Sequence, residues 1–418
     1  MLAQSIDTPP FQDPSKRMPR LVDDEFAQAM SAVKVLVRML GPRRVGKTSL
    51  VGHYCESTRT PLLSLNVPPI PGDVSTAAVV VDLLRSGLQA FGRGYPNFTD
   101  EYRRVAAREE GVEETKKVGG EISVGLGVLK GKLSHSKEST PKGPQEGSPQ
   151  DLTAIGLILG RIDFVAGKLG VRPVVLFDEV QELVVAGDPI LSALWAIRNE
   201  VQGHTHCRYV FAGSNQRLFS RVQEGERAPL LNMGKGIRVP PVSLVEIDRW
   251  AVPMLRAGGR VCSSVEPAVA LLAGKIGEVV EVLDELWRVT APGKTIEEAD
   301  QRQAVNNVVR RQSADGGLVR KMTRPQLTVL RWILSHPGES PYAIPAMNHG
   351  TVKNAVRALE ERRQIEGYGD HYAAASPLVT MKSLEPATLA EKLELQGRPP
   401  TPAQGVGVPV DEGPRQKP

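Results

Sequence analysis

Two short clusters hold the residues best suited to chemistry. Residues 41–49 read GPRRVGKTS and satisfy the pattern G-x-x-x-x-G-K-[ST], which builds a loop whose main-chain N–H groups surround phosphate. Gly41 and Gly46 permit backbone conformations and close approaches that a side chain would block. A helix is expected to follow, and its N-terminus would point at the same anion. Lys47 is the expected partner of the β and γ phosphates of ATP, and Thr48 the hydroxyl ligand of Mg²⁺, with Ser49 next on the helix. Nucleotide contacts are therefore expected from Gly41, Pro42, Arg43, Arg44, Val45, Gly46, Lys47, Thr48 and Ser49. At the two arginines the backbone amides, not the side chains, are expected to make them.

The second cluster is PVVLFDEVQEL, residues 173–183, an apolar run ending in two carboxylates. At the carboxyl end of a parallel strand these fall in the crevice where ligands bind. Asp178 is the expected Mg²⁺ holder, through water, and Glu179 the group that orients and polarises the water attacking the γ-phosphate. An adjacent acidic pair also occurs as a helix N-terminal cap. The run at 209–212 ends in GSNQR, so Ser214 or Asn215 could reach the γ-phosphate as a polar sensor. Asn215 is the better candidate, although such a residue also satisfies its own backbone in turns. The expected catalytic set is Lys47, Asp178, Glu179 and Asn215. Arg198, Arg217, Arg221 and Arg227 are candidate arginine fingers, and spacing does not choose among them. No Asn-Lys-x-Asp motif occurs, which disfavours a guanine nucleotide. The run HTHC at 204–207 lacks a second cluster of ligands for a metal and reads as a polar loop.

The elements that must hold these clusters alternate. Residues 33–40 read as a strand, 48–56 as a helix, 61–67 as a strand and 75–91 as a helix; 151–168, 173–177, 189–200 and 208–212 then read helix, strand, helix, strand. That order predicts an α/β fold, a P-loop NTPase parallel sheet with helices on both faces. Helical periodicity takes over at 246–255, 266–273, 277–289 and 296–312, an expected α-helical lid over 245–315. Residues 325–336, 341–346 and 351–365 read as helix, turn and helix before a hairpin around GYGDHYAAA, the order of a winged helix-turn-helix domain over 316–384. The ATPase domain is expected over 18–244, with a flexible polar insertion at 131–150; residues 1–17 and 385–418 are expected to be disordered tails.

The 418 residues are 41% hydrophobic and 24% charged, an ordinary globular composition. No apolar run approaches the roughly 20 residues that cross a bilayer, and the polar, proline-rich start has no signal-peptide core. A cytoplasmic, non-membrane protein is expected. Cys55, Cys207 and Cys262 are too few and too scattered for a disulfide framework. The net charge of +5 permits anionic partners without requiring them.

GPRRVGKTSL, LFDEVQEL and FAGSNQRLF, followed by PLLNMGKGIRVPPVSLVEI, together resemble the archaeal-type ATPases of the AAA/STAND class of P-loop proteins. The resemblance implies an ATPase domain, a helical lid and a C-terminal winged helix. The Gly-Arg-Glu motif usual ahead of the first strand is represented only by MPRLVDDEF, and AGKIGEVVEVL looks more like the lid of AAA proteins that accompany transposases. Ser376 stands where an aspartate is usual.

Arg302, Arg310, Arg311, Arg320, Lys321, Arg324 and Arg331 make a basic flank into the last domain, which suits contact with the phosphates of double-stranded DNA. The second helix of that domain balances Lys353, Arg357, Arg362 and Arg363 against Glu360 and Glu361, as any solvated face does. Two readings stand: an ATPase that couples hydrolysis to conformational change on DNA, or a nucleotide-gated STAND-type switch that docks a protein partner or a second copy of the chain.

Overall fold

In the computed structural model five strands pair in parallel in the order β2-β3-β4-β1-β5. They are β1 (Leu36–Leu40), β2 (Leu62–Asn66), β3 (Val174–Asp178), β4 (Arg208–Gly213) and β5 (Lys235–Arg238). The described residues are 9–13, 17–32, 36–71, 74–109, 148–184, 192–214, 218–219, 222, 228–312, 322–336, 339–345, 347–362, 364–368 and 371–383. Every residue of β3 is buried, as a central parallel strand covered on both faces requires. Register places Leu40 opposite Gly213 and Asn66 opposite Asp178. The chain therefore leaves β1, β3 and β4 along one edge, and the two chemical clusters meet there.

Alternation along the strands feeds two cores. Val175, Phe177 and Phe211 pack with Leu84, Ile155 and Leu194, from α3 (Thr76–Gly94), α5 (Pro149–Leu169) and α6 (Ser192–Val201). On the opposite face Val174, Leu176 and Val210 meet Phe26 and Leu50, from α1 (Leu21–Met30) and α2 (Lys47–Ser57). Caps set the long helices: Ser75 and Ser148 accept from Ala78 N–H and Asp151 N–H, and Gly170, at φ 66°, ends α5 in the left-handed region.

A separate apolar cluster joins α7 (Leu244–Ala257), α8 (Glu266–Val269), α9 (Ile276–Val289) and α10 (Glu298–Arg311). A capping box between Ser243 and Glu246 starts α7. Beyond it, α11 (Arg324–Ser335) and α12 (His349–Glu361) pack with the antiparallel pair β6 (Ile365–Tyr368) and β7 (His371–Ala374). The last helix, α13 (Pro377–Ser383), returns to the α7–α10 cluster by burying Leu378 and Met381. Among the described residues no helix is long and apolar enough to cross a membrane.

Several expectations need correction. Residues 9–13 are not a disordered tail: Pro10–Gln12 form a 3-10 turn, and Phe11 is buried edge-on against Trp250 at 5.3 Å and Trp287 at 6.4 Å. One aromatic residue suffices to hold a proline-rich segment that composition alone would leave free. The helix α5 begins at Pro149, within the range 131–150 expected for the polar insertion. The helix expected at 266–273 breaks after α8 into a 3-10 turn, Ala270–Leu272, and Ala273 and Gly274 turn the chain with φ of 49° and 68°. Among the described residues, four helices and strands were not anticipated: α1, α4 (Pro96–Glu109), β5 and α13. In β5 only Ile237 is buried between exposed, mostly charged neighbours, so this edge strand shows almost no apolar pattern. The expected C-terminal tail at 385–418 and residues 131–147 lie outside the described residues.

Candidate nucleotide-binding and active site

The loop between β1 and α2 has the shape its glycines allow. A Cβ at Gly41 would meet the Val239 carbonyl oxygen at 2.3 Å, and Gly46 sits at φ +85°. Arg44 also adopts the left-handed region, at φ 62°, a sparsely populated conformation for a side chain of that size. Lys47, nearly buried, donates to the carbonyls of Gly41 and Pro42 at 2.7 Å each. Burial pulls its ammonium below the usual lysine range, against the opposing charges of Glu179 and Asp178.

The acidic pair stands opposite. Thr48 donates its hydroxyl to Asp178 Oδ2, so the two expected Mg²⁺ ligands converge on one point. Asp178 Oδ1 accepts the Glu179 N–H at 3.0 Å. Burial raises the Asp178 carboxyl above its ordinary value, and the neighbouring Glu179 charge adds to that, while the Thr48 hydrogen bond works the other way. Glu179 behaves oppositely: burial works to raise it, but Lys47 and hydrogen bonds from Ser214 and Gln181 outweigh burial and hold it below the usual carboxylate range. Its backbone, at φ 55°, turns the chain sharply out of β3.

Ser214, at the end of β4, donates to Glu179 Oε2 at 2.6 Å. Gln181 donates to the same carboxylate and to Ser214 Oγ, and its Oε1 accepts the Ser214 N–H at 3.1 Å. Of the two sensor candidates, Ser214 is thus in contact with the acidic pair; Asn215 lies outside the described residues, as do Arg217, Arg221 and Arg227. Arg198 is directed elsewhere, donating to the carbonyls of Ala228 and Pro229 and lying over the Trp195 ring. A different arginine is at the site. The Arg43 side chain lies 3.3 Å from Ser214 Oγ and 3.9 Å from Glu179 Oε1. Glu182 and Glu366 also pair with its guanidinium, at 3.5 and 3.7 Å.

A cavity of about 630 Å³ opens from this cluster and is lined by Gly46, Lys47, Thr48, Ser49, Asp178 and Glu179. Its apolar lining comes from Phe11, Met18, Trp250, Ile276 and Val280. Arg20 joins the walls, donating to the carbonyls of Val45 and Pro240. On the α9 side, Gly277 N–H donates to Arg44 O at 3.0 Å and Arg44 pairs with Glu281 at 3.2 Å. Gln181 was readable in principle, since it follows the acidic pair by two positions; Phe11, Arg20 and Trp250 carry no local signal. The 204–207 run serves structure: Asp163 accepts the N–H groups of Thr205, His206 and Cys207. Among the described residues no group of three or more His, Cys, Asp or Glu is arranged to hold a metal.

The parallel sheet and the loop between β1 and α2 define a P-loop NTPase fold. No family model matches the sequence, and no curated protein matches it. Solved structures do match. The Walker-type ATPase PABY2304 of Pyrococcus abyssi is similar at 15% identity, with a TM-score of 0.55 over 88% of this chain and 96% of that one. The ORC1 protein of Aeropyrum pernix, in complex with DNA, matches at 12% identity and a TM-score of 0.42 over 94% and 95%. The RuvB branch migration motor of Thermotoga maritima matches at 11% and 0.38 over 85% and 92%. At these identities the likeness is one of fold, and the first of the three carries it.

Proposed function

We propose that the chain binds ATP with Mg²⁺ in this cavity, hydrolyses it, and converts the nucleotide state into movement of the α7–α10 lid and the C-terminal unit. The observation that carries this reading is the convergence of Lys47, Thr48, Asp178 and Glu179 on one cavity mouth. The apolar wall of Phe11, Met18 and Trp250 suits a purine base, and the loop N–H groups and Lys47 suit its phosphates.

The oxygens of Thr48 and Asp178 fit Mg²⁺, which takes one or two carboxylates and keeps water and phosphate for the rest of its shell. When bound there it would neutralise phosphate charge. Glu179, ionised and therefore an acceptor, would orient the attacking water, and Ser214 and Gln181 hold its carboxylate in place. Arg43, already at Ser214, would add positive charge beside the reacting phosphate from within the chain. Measurement of ATP turnover with and without Mg²⁺, alongside Glu179→Gln, tests the reading; Mg²⁺-independent turnover or full activity of the variant would sink it.

We read α11, α12, β6 and β7 as a winged helix. Its basic flank is partly occupied, because Arg302 pairs with Glu298 at 2.6 Å and Arg311 with Glu285 at 2.7 Å. Ion pairs at arginines this exposed are weak and do not separate a nucleotide-gated switch with a protein partner or second copy from action on double-stranded DNA. Turnover that rises with DNA at low salt supports the DNA reading, and turnover indifferent to DNA supports the switch.

A further inference from the structure

The C-terminal hairpin reaches into the nucleotide loop. Glu366 of β6, 7% exposed, accepts the main-chain N–H of Arg43 at 3.0 Å through Oε2. The same oxygen accepts Lys275 Nζ at 3.0 Å. Lys275 is fully buried and also donates to Ala375 O at 2.9 Å, just beyond β7. A second tie lies beside the first: Glu278 of α9 accepts Ser376 Oγ at 2.6 Å and Leu378 N–H at 2.9 Å, and lies 3.4 Å from Arg44 Nη1. Loop, lid and hairpin thus share one buried polar network.

The placement of the Glu366 charge is what distinguishes this contact from a structural ion pair. It lies on the limb of the loop to which Lys47 is also bound, through Gly41 O and Pro42 O. In a loop of this pattern the lysine serves the β and γ phosphates. A carboxylate from a residue 323 positions away therefore takes an N–H of an anion-binding loop. Arg44, Gly46, Lys47, Thr48 and Ser49 line the open cavity, whereas the Arg43 N–H is taken by Glu366.

We propose that Glu366 is the residue by which this chain distinguishes a nucleoside triphosphate from a diphosphate. With the hairpin docked, a diphosphate meets the free part of the loop, whereas the extra phosphate of a triphosphate brings like charge toward Glu366 where little water screens it. Triphosphate binding and hairpin docking then oppose each other, and by linkage each weakens the other by the same factor. Lys275 is the lid's counter-charge, which holds the carboxylate in place while the loop lacks a terminal phosphate. This inference rests on the assignment of residues 41–49 as an ATP site.

The test is calorimetric titration of the full chain with Mg²⁺ and either ADP or the non-hydrolysable ADPNP, for the native protein and Glu366→Gln. Glutamine keeps an acceptor and removes the charge. The expected result is a gain of about tenfold in ADPNP affinity relative to ADP, within the usual range of coupling between sites. The double variant Lys275→Gln, Glu366→Gln leaves no buried ammonium unpaired and is expected to show the same gain. In the native protein ADPNP, but not ADP, should also speed hydrogen exchange at 365–368 and 371–374. Equal shifts for both nucleotides in both variants, or exchange that ignores ADPNP, would overturn the proposal and leave the ATP site standing. Failure of the native chain to bind either nucleotide would overturn the ATP site itself, and this inference with it.

Discussion

Ser214 donates its hydroxyl to Glu179 at 2.6 Å, so the residue that follows β4 holds the carboxylate that follows β3. The bond joins two residues 35 positions apart, on neighbouring strands that leave the sheet at one edge. Burial works to raise the Glu179 carboxyl, and the Lys47 charge together with this bond holds it below the usual carboxylate range, where the ionised form can orient water.

Removing that bond should therefore move a titration. Glu179 lies below the usual carboxylate range in the native chain, so the acidic limb of kcat/KM is expected at low pH. Ser214→Ala should displace that limb upward, because burial is then less opposed. A pH profile of ATP turnover that is superimposable on the native one would refute the role given to Ser214.

Glu179→Gln should retain ATP and lose turnover by about 10²- to 10⁴-fold, the range for loss of a positioned acid–base group. Equilibrium binding of labelled ATP beside single-turnover hydrolysis separates the two effects. Loss of binding together with hydrolysis would instead make Glu179 a structural group at the β3 turn.

Lys47→Ala should abolish binding of ATP, and with it turnover. The lysine is buried and donates to Gly41 O and Pro42 O, so its removal takes the charge from the loop and leaves those carbonyls without that donor. Near-native affinity in a titration would exclude the loop as the phosphate site.

Phe11→Ala should cost about 3 kcal/mol of stability, in the usual range for a buried aromatic truncated to alanine. Nucleotide affinity should fall as well, because Phe11 and Trp250 form one wall of the cavity. Urea denaturation reads the first effect and ATP titration the second. Lost stability with unchanged affinity would remove the base from that wall.

Asp163 offers a stability test that depends on pH. Burial works to raise its carboxyl, but the N–H groups of Cys207, His206 and Thr205, helped by His204, outweigh burial and hold it below its ordinary value. A depressed acid contributes stability above its unfolded pKa, near 3.9, and loses it as pH falls through the folded value. Asp163→Asn should lower the unfolding midpoint at neutral pH and narrow its gap from native in acid. A gap that stays constant with pH would mean that the charge of Asp163 contributes nothing.

Much of the site was readable along the chain, because its chemistry is local. The segment 41–49 needs glycine where the backbone turns and lysine and threonine at fixed offsets, and those demands act between neighbours. The same holds for an apolar strand that ends in Asp178 and Glu179, and for the alternation that calls for a parallel sheet. Periodicity could not reveal β5, whose single buried residue is Ile237, nor the break after α8, where Ala273 and Gly274 turn the chain beneath Val242.

Sequence by itself determined the glycine-bounded loop at 41–49, the acidic pair at the end of its strand and the sheet that presents them, since each is a pattern of residues a few positions apart. Tertiary structure alone decided that Phe11 and Trp250 share a wall and that Arg43 turns inward among carboxylates. It alone placed Glu366 on the loop, 323 residues from its partner. Such contacts depend on how separately folded layers dock, and burying a charge beside its counter-charge is a property of that docking that no local spacing encodes.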